Sequence, residues 1–136
     1  MALADLIGTW KLLSHQFVTT DNKDRLDMFG PAPLGILIIT PDQRLIAIIT
    51  AKDRKPADSD SDLFKSALAY SGPFRIDGQD LLVTTVDIAW FPGWQGTEQA
   101  RKFAINGNIL TMSTPVAEHP AFPGRTARGL LTWQRA

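Results

Sequence analysis

The chain has 136 residues, of which 44% are hydrophobic and 21% are charged, values typical of one globular domain that here would span residues 1–136. Its 14 basic residues balance 14 acidic ones, so it lacks the positive charge that is typical of proteins binding nucleic acid or an anionic membrane surface. The absence of cysteine excludes disulfides, thiolate catalysis and zinc–thiolate sites.

The N-terminal sequence and the length of the apolar runs predict where the protein resides. Residues 1–7 lack the basic start and the long apolar core of a signal peptide, and no apolar run approaches the roughly 20 residues of a membrane span. We therefore expect a cytoplasmic protein. We also expect no cofactor and no metal, because the chain has no phosphate loop or dinucleotide fingerprint and its two histidines lie far apart.

The first half of the chain predicts a helical turn, three strands and a helix. The turn, at 3–7, precedes a strand at 8–19 on which neither face is purely apolar, so the inward face is not determined. Two aliphatic runs, 34–40 and 45–50, flank a Pro-Asp turn and predict a hairpin that is apolar on both faces. An apolar stripe then predicts one short helix at about 61–70, after a cap at residue 60 or 61.

The second half predicts further strands that are joined mainly by tight turns. These strands lie at 74–76, 81–90, 94–105, 109–114 and 126–135. The whole chain therefore predicts an all-β fold of eight to nine antiparallel strands with one short helix. A closed barrel leaves no exposed strand edge and can hold one small ligand, which favours a barrel over a sandwich.

Several motifs occur in the order found in a known family. They span nearly the whole chain: Gly8-Thr9-Trp10, Gly35–Asp42, Tyr70–Phe74, Trp94–Phe103, Leu110–Pro115 and Leu131–Arg135. Together they resemble the small microbial lipocalin-like domain family, which has a calycin-type β-barrel. The resemblance implies a ligand-holding barrel in which Trp10 closes one end, with Arg135 placed to cover it.

The chain departs from this family at a position that bears on chemistry. Some members carry a histidine in the strand that here reads Thr84-Thr85-Val86-Asp87, and this chain has none there. Chemistry that relies on such a histidine is therefore not expected. Some lipocalin-like barrels act as cyclases or isomerases, so an enzymatic role remains an inference from fold analogy.

Arg101 is the strongest candidate for a binding residue. It shares one strand face with Gln99 and Phe103, and we expect that face to point into the barrel. A guanidinium among apolar side chains either holds a carboxylate, enolate or carbonyl of a ligand or forms a structural ion pair. Glu98 and Asp87 are the carboxylates available for such a pair, and the sequence leaves both alternatives open.

Aromatic side chains and a methionine complete the candidate site. The expected ligand-binding residues are Arg101, Gln99, Trp90, Trp94, Phe103, Met112 and Tyr70. Trp90, Phe91 and Trp94 flank one turn and would form an aromatic rim at the cavity mouth, although packing in the core is the alternative. Phe103 and Met112 would line the cavity. Tyr70 would donate a phenolic hydrogen bond from the end of the predicted helix.

His15 and His119 are the side chains that can exchange protons near neutral pH without a large pKa shift. His119 lies in the loop 115–124, where we expect it to be solvated. His15 lies in the middle of the first strand. Whether it points into the barrel is not determined, because neither face of that strand is purely apolar.

Three functions are compatible with these residues. The leading hypothesis is binding of a small, mainly apolar molecule whose polar end is anchored by Arg101. The second is a cofactor-free isomerase or cyclase, which requires Asp87 or His15 inside the cavity beside Arg101. The third is an interaction module with a filled barrel that forms a homodimer through the apolar outer face of residues 34–50.

Overall fold

The computed structural model of the protein describes residues 3–21, 23–118 and 122–136. Within these ranges there are eleven strands and three short helices. The strands are β1 Gly8–Thr19, β2 Arg25–Asp27, β3 Leu34–Ile39, β4 Arg44–Thr50, β5 Ala67–Asp77, β6 Leu81–Thr85, β7 Ile88–Ala89, β8 Glu98–Asn106, β9 Ile109–Ser113, β10 Ala117–Glu118 and β11 Thr126–Arg135. The helices are α1 Leu3–Leu6, α2 Asp60–Lys65 and a 3₁₀-helix at Pro92–Trp94.

Among the described residues, eight of the strands close into an antiparallel barrel. Neighbouring strands pair in the order β1, β3, β4, β5, β6, β8, β9 and β11, and β11 pairs with β1 to complete the circle. The strands β2, β7 and β10 extend the barrel locally by pairing with β1, β5 and β11. The predicted barrel is confirmed. In the described ranges, no helix is both long and apolar enough to cross a membrane.

A register shift in β1 determines which of its side chains point inward. Trp10 and Leu12 are buried, whereas Leu13 is 45% exposed. The pairing of β1 with β11 shifts between Leu12 and Ser14, and an extra residue in one strand exchanges the inner and outer sets of side chains beyond it. His15 therefore points into the barrel. Neither face of β1 is apolar throughout because the inward set changes from even to odd positions.

One end of the barrel is closed by Trp10, as the resemblance implies. The Trp10 indole Nε1 donates a hydrogen bond of 2.9 Å to the Leu6 carbonyl oxygen in α1. The Arg135 guanidinium lies over the Trp10 ring, 4.1 Å from its centroid. It also donates to the carbonyl oxygens of Ile7 (3.1 Å) and Asp5 (2.6 Å). These contacts fasten α1 and the end of β11 over the same barrel opening.

The helix predicted at 61–70 is shorter than expected. α2 ends at Lys65, and Ser59 caps it by accepting a hydrogen bond from the Asp62 backbone N–H. Residues 67–77 form β5, which pairs with β4 from Thr50 to Arg44. A helix of about ten residues is marginal by itself. Pairing with β4 gives the backbone N–H and C=O groups of residues 67–70 hydrogen-bond partners, so these residues form a strand.

The strand predicted at 81–90 is broken. β6 ends at Thr85, and the chain then turns so that Asp87 donates its backbone N–H to the Ser71 carbonyl oxygen at 3.0 Å. β7 pairs with β5 instead of continuing β6. The turn brings the backbone of Thr85 directly against Gly72, where there is no room for a side chain.

Candidate ligand-binding site

The barrel encloses a cavity of about 140 Å³. Its walls are mainly apolar, with aliphatic side chains from β3, β4, β5, β9 and β11. Five aromatic rings also line it: Phe17, Tyr70, Phe91, Trp94 and Trp133. A dry cavity of about 150 Å³ accepts benzene, so this one has room for about one aromatic ring.

A larger cleft of about 360 Å³ lies outside the barrel, between residues 29–32 and 51–66. The arginine of this cleft is engaged by neighbouring groups. Arg54 donates to the Ser66 hydroxyl (2.9 Å) and to the Leu63 carbonyl oxygen (3.0 Å). The cavity in the barrel is the better candidate because it is enclosed, mainly apolar and has polar groups without partners.

Arg101 points into the cavity from β8, as the sequence predicts. Its Nη1 donates to the Ala100 carbonyl oxygen at 2.8 Å, and its Nη2 donates to Gln99 Oε1 at 3.2 Å. No carboxylate in the described part of the chain forms an ion pair with it. A guanidinium has five N–H donors, so three of them have no acceptor among these residues.

The two carboxylates that were considered as partners of Arg101 are bound elsewhere. Glu98 pairs with Arg75 at 2.6 Å, and Asp87 pairs with Arg44 at 2.8 Å, both on the outer surface. The hydrogen bond from Arg44 lowers the pKa of Asp87, with a further contribution from Ser71. The structural alternative, in which Arg101 pairs with Glu98 or Asp87, is therefore wrong.

His15 lies in the cavity wall and is only 7% exposed. Burial, and to a lesser degree the charge of Arg101, lowers the pKa of His15 to about 4. The imidazole is therefore neutral at pH 7. It packs against the rings of Phe17 and Phe29, at 5.9 and 5.8 Å between centroids, and its Nδ1 atom has no hydrogen-bond partner among the described residues.

Trp133 contributes a second buried polar atom without a partner. Its side chain is 1% exposed and lines the cavity, and its Nε1 finds no acceptor in the described ranges. Leu131 of β11 pairs with His15 of β1, and Trp133 lies two positions further along the same face. His15 and Trp133 are therefore diagonal neighbours on one wall of the cavity.

The structure brings together four of the predicted site residues, since Arg101, Trp94, Met112 and Tyr70 all line the cavity. Burial raises the pKa of the Tyr70 phenol, and Arg101 opposes this shift. Gln99 does not line the cavity itself but holds Arg101 through the hydrogen bond described above. These residues place one cation and one phenol in a mainly apolar space.

Two predicted residues lie away from the cavity. Phe103 is buried in the core without lining the cavity. Trp90 lies on the outside of the barrel, where its ring stacks on Phe64 at 5.4 Å and its Nε1 donates to the Phe64 carbonyl oxygen at 2.9 Å. The other two residues of the expected rim, Phe91 and Trp94, line the cavity, and their rings meet at 5.0 Å.

Phe17, Met28 and Trp133 are among the lining residues that sequence reasoning missed. Alternation on β11 places Trp133 beside Leu131 and could have indicated it. Phe17 depends on the register shift in β1, and Met28 follows β2 in a stretch without a periodic pattern. His119 lies outside the described residues. Within them, no group of three or more acidic or histidine side chains could hold a metal ion.

Comparison with known proteins adds two findings. A family model described as a lipocalin-like domain matches residues 7–136. A stretch of 76 residues is 34% identical to the 4'-hydroxy-3'-methoxypropiophenone carrier protein of Aspergillus oryzae. This stretch covers 50% of the chain and 66% of the relative, just under two thirds of the relative's length.

Proposed function

Because this chain belongs to the lipocalin-like domain family, we propose that its barrel binds a small, mainly apolar molecule whose polar end is anchored by Arg101. The observation that carries the proposal is a guanidinium with free donors and no carboxylate partner among the described residues, inside an apolar cavity. Arg101 is half-buried, so these donors are open to the cavity and available to an oxygen atom of a ligand.

The cavity and its cation together define the ligand class. A volume of about 140 Å³ corresponds to about one aromatic ring, and the aromatic walls favour a planar ring. The donors of Arg101 require an acceptor such as a carbonyl or carboxylate oxygen. An aryl ketone or aryl carboxylate satisfies both conditions, and a relative named as the carrier of an aryl ketone supports this class.

Catalysis by His15 is the alternative function for this cavity. Proton transfer is most effective when the pKa of the catalytic group lies near the working pH. With its pKa lowered to about 4 by burial, His15 accepts a hydrogen bond at neutral pH but is a weak base. Asp87 is held on the surface by Arg44. Binding is therefore favoured over isomerisation or cyclisation.

The substitution Arg101→Met tests the proposal. We expect it to weaken binding of propiophenone and benzoate by about tenfold to a hundredfold, because a hydrogen bond from a charged donor contributes about 1.5–3 kcal/mol. Titration calorimetry, or quenching of tryptophan fluorescence, measures the affinity. Arg75→Met is the matched control, since Arg75 is an arginine on the outer surface paired with Asp77 and Glu98. Equal affinities for wild type and Arg101→Met would contradict the anchoring role.

We propose homodimerisation as a second function, because the outer face of the β3–β4 hairpin is uncovered. Ile36 pairs with Ile48 and Ile38 with Ile46 across the hairpin, and α2, which has no buried residue, does not cover them. Five aliphatic side chains on and beside this face are each exposed over a third or more of their surface: Leu34, Ile36, Ile38, Ile48 and Ile88. A second copy could cover these exposed aliphatic side chains.

Light scattering after size exclusion tests the dimer. Wild type should elute with twice the mass of the chain, and Ile48→Lys should elute as a monomer, because a buried lysine without a partner is costly. Val116→Lys is the control, since Val116 is also an exposed aliphatic residue but lies outside the hairpin. A wild-type monomer at high concentration would rule out the dimer and leave the binding proposal unaffected.

A further inference from the structure

A chain of hydrogen bonds connects the guanidinium of Arg101 to the loop between β7 and β8. Arg101 Nη2 donates to Gln99 Oε1 at 3.2 Å, and Gln99 Nε2 donates to Thr97 Oγ1, also at 3.2 Å. Thr97 Oγ1 donates in turn to the Trp94 carbonyl oxygen at 2.6 Å. The same loop carries the rings of Phe91 and Trp94, which line the cavity. The proposed ligand anchor and one aromatic wall of the cavity are therefore directly connected.

Each link of this chain can run in only one direction. A guanidinium can only donate and a carbonyl oxygen can only accept. Gln99 must therefore turn its amide oxygen towards Arg101, which leaves its amide NH₂ to donate to Thr97. The single hydroxyl proton of Thr97 goes to the Trp94 carbonyl oxygen, which also accepts the Thr97 backbone N–H at 3.0 Å. A reversed amide would bring its NH₂ group against the donors of Arg101.

The chain holds Arg101 at one of two points. The guanidinium is bound at Nη2 by Gln99 and at Nη1 by the Ala100 carbonyl oxygen, at 2.8 Å. A guanidinium is planar, so binding at two of its atoms fixes the plane and the directions of the remaining N–H donors. Donors that are already oriented can bind an acceptor without a further loss of side-chain freedom.

This inference rests on the proposed function, because it concerns the same arginine. We infer that Thr97 and Gln99 are positioning residues, which orient the free donors of Arg101 towards the carbonyl or carboxylate oxygen of the ligand. Neither of them lines the cavity, so they act through Arg101 and not by contact with the ligand. Thr97 is exposed, and its substitution therefore alters the hydrogen-bond chain without disturbing the core.

A pair of matched compounds tests this role of Thr97. Propiophenone and propylbenzene have the same ring and the same side-chain length, but propylbenzene lacks the oxygen. The ratio of their dissociation constants, measured by titration calorimetry, is the ketone preference. Wild type should prefer the ketone by about tenfold or more, and Thr97→Val should reduce this preference by about threefold to tenfold. The affinity for propylbenzene should stay within about twofold of wild type, since that compound has no acceptor for Arg101.

Two further variants serve as rescue and control. Thr97→Ser should retain most of the ketone preference, because serine keeps the hydroxyl that accepts from Gln99 and donates to Trp94. Thr111→Val makes the same chemical change outside the chain. Thr111 lies in β9 between the buried residues Leu110 and Met112, so it faces away from the barrel interior. Its substitution should leave both affinities unchanged.

A double-mutant cycle with Arg101→Met separates positioning from a general loosening of the loop. If Thr97 acts through the guanidinium, Thr97→Val should have no further effect on the ketone preference once Arg101 is methionine. A loosened loop would instead weaken the binding of both compounds, with or without Arg101.

The outcomes distinguish the inference from the proposed function. If Thr97→Val keeps the full ketone preference, or weakens both compounds equally in both backgrounds, the positioning role is wrong while anchoring by Arg101 stands. If wild type binds neither compound, or if Arg101→Met keeps the preference, the proposed anchoring is wrong and the inference falls with it. A preference that is reduced in Thr97→Val, retained in Thr97→Ser and insensitive to Thr97 in Arg101→Met supports both.

Discussion

Gly72→Ala is expected to lower the free energy of unfolding by about 3 kcal/mol or more, at the upper end of the range for overpacked positions. A Cβ atom at this position would lie 1.9 Å from the Thr85 carbonyl oxygen and 3.1 Å from the Val86 Cα. These are backbone atoms, so they cannot rotate away as the end of a side chain could. Accommodating the methyl group would separate β5 from the end of β6. Denaturant unfolding followed by circular dichroism measures the change.

Gly93→Ala is the matched control for this substitution. No atom lies within 4 Å of a Cβ built at Gly93, and its φ is not in the left-handed region. Its unfolding free energy should therefore stay within about 0.5 kcal/mol of wild type. If the two alanine variants unfold at the same denaturant concentration, the close approach of Thr85 to Gly72 has no energetic weight and the explanation is wrong.

Acidification is expected to destabilise the protein through His15. Burial lowers the folded-state pKa of His15 to about 4, against 6.5 for an unperturbed histidine. Between these two values the unfolded chain binds a proton that the folded protein does not, so the free energy of unfolding falls as the pH falls. This loss of unfolding free energy is absent above about pH 7 and approaches 3 kcal/mol near pH 4, since each pKa unit corresponds to about 1.4 kcal/mol.

The loss between pH 7 and pH 4.5 should be about 2–3 kcal/mol larger for wild type than for His15→Leu. Other titrating groups are common to both proteins, so their effects cancel in the difference. Denaturant unfolding at the two pH values gives the four free energies that are needed. Parallel losses in the two proteins would mean that His15 is protonated in the folded state or exposed to water.

The β8–β9 hairpin and the direction of Arg101 could be predicted because both follow from local patterns. Asn106-Gly107 marks the turn between β8 and β9, and these strands pair directly across it. Alternation along β8 then places Arg101 on the same side as the buried Phe103. Neither inference needs knowledge of any other part of the chain, since strand alternation and turn chemistry are properties of short segments.

The remaining features depend on contacts between distant segments. The direction of His15 is set by the register shift against β11, which no pattern within β1 reveals. Residues 67–70 became strand instead of helix because β4 pairs with them. Trp90 lies outside because β6 ends at Thr85, and alternation counted from Leu81 does not extend past that break. In each case, pairing between distant segments determined the conformation or direction of these residues, and the pattern within the segment did not.

The seam where β1 pairs with β11 is expected to form late in folding, and the binding site depends on it. Most other strands of the barrel pair with neighbours close in sequence, whereas β1 and β11 join positions as far apart as Trp10 and Arg135. Closing so long a loop is slow and comes after local hairpins have formed. His15 and Trp133 lie on this seam and line the cavity, so that wall of the binding site is complete only once the two ends of the barrel sequence have met. A ligand bound against both strands would then stabilise the barrel where its strands are hardest to bring together.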